Sequence, residues 1–106
     1  MQVQIKHDAH VQGDKNAWIT STVEEALQRY GEQVTTVEVH LADENGPKYA
    51  DGTIRCTLEA RPAGFKPIAV TSHGDDVALA VEDALEKIVR MLDGQLGRVR
   101  DPRSNV

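Results

Sequence analysis

Apolar and polar residues alternate at the start of the chain: Val3 and Ile5 fall on one side, Gln2, Gln4 and Lys6 on the other. That two-residue period predicts a half-buried strand over 2–6. The period then changes. Trp18, Ile19, Val23, Ala26, Leu27 and Tyr30 recur at helical spacing, with Asp14 placed as an N-cap and Gly31 where a helix would stop. An amphipathic helix over 15–30 is predicted. Alternation returns over 34–42, where Val37, Val39 and Leu41 oppose Glu38, His40 and Ala42. It returns again over 53–60, where Ile54, Cys56, Leu58 and Ala60 oppose Thr53, Arg55, Thr57 and Glu59. A fourth strand is predicted over 67–72, with Ile68 and Val70 on one side. Turn chemistry separates these strands, in residues 43–47 and in Arg61-Pro62-Ala63-Gly64.

Ser72 and Asp75 have the spacing of a capping box, so a second helix is expected from about Gly74. Its apolar stripe runs through Val77, Ala80, Val81, Ala84, Leu85, Ile88, Leu92 and Leu96. Gly94 and Gly97 weaken its end and Pro102 forbids its continuation. Residues 101–106 are expected to form a disordered tail. The order is β-α-β-β-β-α. Short turns make the last three strands an antiparallel meander, and the helical crossover makes the first pair parallel if adjacent. Every element has one apolar face, so the expected architecture is α+β: a two-layer sandwich, with both helices on one face of a four-stranded mixed sheet.

Composition narrows the possibilities. A chain of 106 residues, 40% hydrophobic and 27% charged, is an ordinary globular domain, taken as residues 1–100. A single cysteine, Cys56, excludes an internal disulfide and a cysteine-based zinc site. No signal peptide and no apolar run long enough for a bilayer is read, which makes the cytoplasm the expected compartment. The formal net charge of −5 is unevenly placed. From Lys87 onward there are five basic residues (Lys87, Arg90, Arg98, Arg100, Arg103) and two acidic ones (Asp93, Asp101), so an acidic body carries a basic C-terminal end.

Catalytic patterns are missing. There is no Walker loop, no G-x-G-x-x-G and no nucleophile elbow. Cys56 shares the parity of Ile54 and Leu58 and reads as a core thiol. His7, Asp8 and His10 are too few for a closed metal site, and the Asp43-Glu44-Asn45-Gly46 turn has Ile54 where a calcium loop needs its bidentate Glu. No enzyme activity, metal or cofactor is expected. The polar sheet face (Gln2, Gln4, Lys6, Glu38, His40, Arg55, Thr57 and Glu59) lacks the aromatic platform of single-stranded RNA readers.

Three stretches carry a resemblance: Val37 to Gly46, Arg55 to Val70 with its Pro62-Ala63-Gly64 turn, and Asp76 to Leu92. In pattern, order and length they resemble the hibernation-promoting factor and ribosome-associated inhibitor family. The resemblance implies the β-α-β-β-β-α fold, similar in outline to double-stranded RNA-binding domains. It also implies binding to the small ribosomal subunit and its RNA, in the channel used by messenger and transfer RNA, silencing translation in stressed or resting cells. Lys87 and Arg90 match basic residues the family places on its last helix. The family continues with further Lys and Arg where this chain has Asp93 and Gly94, and its first helix is basic where this one has Glu24 and Glu25.

The implied RNA-binding residues are Lys87, Arg90, Arg98, Arg100 and Arg103, with Arg29 assisting. Read from the residues alone, the same charges complement a helix C-terminus. The alternative reading is therefore a protein-interaction module that kept the fold and turned its acidic helix faces to a protein partner.

Overall fold

The computed structural model describes residues 1–8, 15–43 and 54–100, the side chains of 97–100 excepted. Four strands, β1 (Gln2–His7), β2 (Val34–Asp43), β3 (Ile54–Pro62) and β4 (Ile68–Gly74), form one sheet in the order β1-β2-β3-β4. β1 runs parallel to β2, and the other neighbours are antiparallel. Helix α1 (Asn16–Ala26) makes the crossover, a short 3₁₀ turn (Gln28–Tyr30) follows it, and α2 (Val77–Arg100) closes the fold. This is the α+β sandwich that the sequence predicts.

The alternation explains the layers. Val37, Val39 and Leu41 of β2, Ile54, Cys56, Leu58 and Ala60 of β3 and Ile68 of β4 all turn to one side. There they meet Ile19 and Val23 of α1 and the α2 stripe from Val77 to Leu96 in a single cluster. Ile88 and Leu92 are fully buried, so truncating either to Ala costs about 2–5 kcal/mol.

Several boundaries differ from expectation. The first helix ends at Ala26, because Leu27 leaves helical geometry (φ −106°, ψ 16°) and the chain tightens into the 3₁₀ turn. Leu27 and Tyr30 stay buried, but Trp18, expected on the apolar stripe, is 38% exposed. β3 continues through Pro62, past the expected turn at Arg61. A proline is tolerated there because it ends the strand, beside a register shift at Val34/Thr36. The turn is Pro62–Phe65, closed by Phe65 N–H donating to Pro62 O (3.2 Å), with Gly64 at φ 81°.

The expected capping box does not form. β4 runs on through Gly74, so Ser72 is a buried strand residue. Asp76 caps α2 instead: its Oδ1 accepts from Leu79 N–H at 2.9 Å. α2 also continues through Gly94 and Gly97 to Arg100. The predicted cap Asp14, turn residues 44–47, ligand His10 and tail 101–106 lie outside the described residues.

Candidate nucleic-acid interface

Long and amphipathic, α2 holds its buried stripe against β3 and β4 and leaves Lys87 and Arg90 on the outside. Lys87 lies beside the free edge of β4, where its Nζ donates to the Thr71 carbonyl at 3.1 Å. That contact occupies an edge acceptor that would otherwise invite another strand. The same Nζ is 3.6 Å from Asp83 Oδ2, one turn earlier. Arg90 Nη2 donates to Glu86 Oε1 at 2.8 Å, again one turn earlier.

Arg29 reaches the same helix from the 3₁₀ turn. Its Nη2 donates to both oxygens of Asp93, at 2.7 and 2.8 Å, and its guanidinium lies 5.2 Å from the Tyr30 ring centre. The structure thus brings Arg29 to α2, within one helical turn of Arg90, although 61 residues separate the two in sequence. Arg98 follows Lys87 by eleven residues, close to three whole turns, so its backbone position lies on the same side of α2. Arg100 follows Asp93 by seven, close to two turns. Arg103 lies outside the described residues.

Each candidate cation with a described side chain therefore faces a carboxylate. These are exposed pairs, with side chains 47–72% accessible, and such pairs are worth about 0–1 kcal/mol. A phosphate can displace a carboxylate of this kind at small cost. Asp83 is the best anchored of the three acids. Its carboxyl is held below its ordinary value, first by the Ser72 hydroxyl that donates to it at 2.7 Å and then by Lys87.

The polar sheet face holds a network that the sequence does not advertise. Arg61 Nη2 donates to Glu38 Oε2 at 3.0 Å and to Glu59 Oε1 at 2.7 Å, and Lys6 Nζ lies 3.4 Å from Glu38 Oε1. Desolvation against the sheet works to raise Glu38, but Lys6 and Arg61 outweigh it and hold the carboxyl low. The register makes Lys6, Glu38 and Glu59 neighbours and puts Arg61 inside β3, opposite Thr36, where the sequence pattern predicts a turn. Beneath this face the Cys56 thiol is pushed up to about 12 by burial, which keeps it protonated and inert. Among the described residues no group of three or more His, Cys, Asp or Glu could hold a metal ion. Among the described residues no helix is long and apolar enough to cross a membrane.

The fold defines a class. It is similar to the N-terminal domain of Protein Y from Thermus thermophilus, with a TM-score of 0.66 and 14% identity over 87% of this chain and 96% of that one. It is similar also to a ribosomal subunit interface protein from Coxiella burnetii, with a TM-score of 0.61 and 15% identity over 92% and 99% of the two chains. At this identity the likeness is one of fold, and it agrees with the family resemblance carried by the sequence. No protein-family profile and no curated protein matches the chain.

Proposed function

We propose that the chain is a ribosome-associated translation regulator that binds small-subunit RNA through the C-terminal half of α2 and occludes the messenger and transfer RNA channel under stress. The observation that carries this reading is the fold, shared over nearly the whole length with a ribosomal subunit interface protein and with Protein Y. Lys87, Arg90 and Arg29 exchange their carboxylate partners for RNA phosphates, and Arg98, Arg100 and Arg103 extend the contact. Phosphate contacts fix position and orientation without reading bases, which suits a protein that recognises a folded RNA surface. The action is steric, with no bond made or broken, and its setting is the cytoplasm.

The test is transfer RNA displacement from programmed small subunits, beside a cell-free translation assay. Added protein is expected to displace transfer RNA and to slow translation in parallel. Binding that leaves transfer RNA in place would rule out occlusion. The alternative, an interaction module without ribosome binding, predicts no effect in either assay.

A further inference from the structure

A second surface lies between the two helices, away from the α2 cations. Trp18, Thr22, Glu25 and Ala26 of α1 and Glu82 of α2 line an open groove of about 420 Å³. Two features mark it. Trp18 is the protein's one tryptophan, and it is 38% exposed although its neighbour Ile19 is buried. Glu25 and Glu82 make no ion pair with any described residue. No cation among the described residues lines the groove or covers the indole face. Lys15 stands one turn before Trp18 and Arg29 one turn beyond Glu25, but Arg29 is engaged by Asp93.

An indole flanked by two unpaired carboxylates is complementary to a guanidinium or ammonium group. The ring face attracts the cation through its quadrupole, and the carboxylates accept its hydrogen bonds. A polyanion would meet the repulsion of both carboxylates there. We infer that this groove docks an extended, arginine- or lysine-rich segment of a partner protein, with one basic side chain seated on Trp18 between Glu25 and Glu82. Such a contact lets an acidic protein associate with a basic one by a surface that adjoins Arg29 but lacks Lys87 and Arg90. It does not depend on the ribosomal reading.

Trp18 supplies its own probe. The intact chain is titrated with a short Arg-Ser repeat peptide at low ionic strength, with a Glu-Ser repeat and oligo-uridylate as comparisons, and tryptophan emission is read. A saturable change with the Arg-Ser peptide alone, suppressed by salt, is expected. The variant Glu25→Gln/Glu82→Gln, whose fold is checked by circular dichroism, should bind about tenfold more weakly, since each exposed pair is worth roughly two- to fivefold. Trp18→Ala, followed by calorimetry, should also bind more weakly. No response to the Arg-Ser peptide, a response indifferent to the double variant, or a response to oligo-uridylate instead would overturn the inference. Loss of the Arg-Ser response leaves small-subunit binding untouched, and failure to bind small subunits leaves the Arg-Ser response untouched, so the two proposals fail separately.

Discussion

Arg29 holds both carboxylate oxygens of Asp93 through a single nitrogen, at 2.7 and 2.8 Å, and so ties the end of the crossover to the fifth turn of α2. The pair also neutralises a cation of the proposed interface. Asp93→Asn removes one carboxylate that competes with phosphate for Arg29. Affinity for small subunits should rise. If Arg29 gains one phosphate, the log–log salt slope should steepen by about 0.7–0.9. Folding stability should fall by no more than about 1 kcal/mol, because the pair is exposed. Filter binding across a salt series reads the first effect and urea unfolding the second. Weaker binding by the variant would mean that the pair positions the interface rather than masking it.

Ser72 is the one buried polar residue of the described core, and its hydroxyl donates to Asp83 at 2.7 Å. Ser72→Ala should cost about 0.5–1.5 kcal/mol near neutral pH. The sign with pH follows from the lowered carboxyl of Asp83. Its folded-state value lies below its unfolded one, so the contribution is complete above the unfolded value of about 4. It disappears as pH falls through the folded value. Urea unfolding should therefore show wild type and variant converging in acid. A gap that persists unchanged at low pH would assign the loss to packing.

Two glycines should fail for different reasons. A Cβ on Gly74 would sit 2.6 Å from the Ala80 backbone nitrogen, so the corner between β4 and α2 admits no side chain. Gly64 has open space around it but a φ of 81°, which L-residues rarely adopt. Gly74→Ala should lose about 1–3 kcal/mol by overpacking. Gly64→Ala should lose about 1–2 kcal/mol by backbone strain, and Gly64→Asn should recover part of it. Thermal unfolding of the three variants checks the order.

The strand assignments were legible because one face of each strand is buried and the other is not, which leaves a period-two record in Val37-Glu38-Val39-His40-Leu41. The start of α2 was misplaced for a specific reason. Ser72 and Asp75 have cap spacing, but Ser72 also has the parity of Ile68 and Val70, and sheet burial decided between the two. The 3₁₀ turn at Gln28–Tyr30 was invisible because three-residue spacing keeps Leu27 and Tyr30 on the buried side, as a helix would. At the interface, Lys87 and Arg90 could be read as exposed from their helix positions. Their carboxylate partners at four-residue spacing were equally readable, whereas Arg29–Asp93 required the tertiary fold. The spacing of Trp18 fits the apolar stripe, and spacing alone does not fix how far the second helix reaches over the first.

The central claim is that this chain binds small subunits through the cations of α2. The measurement that tests it most directly is sucrose-gradient co-sedimentation with purified small subunits across a salt series, with Lys87→Glu/Arg90→Glu alongside wild type. Both positions are exposed, so the variant should remain folded. Wild type should co-sediment at low salt and be lost steeply as salt rises, and the variant should not co-sediment. Failure of wild type to sediment with small subunits at any salt would contradict it.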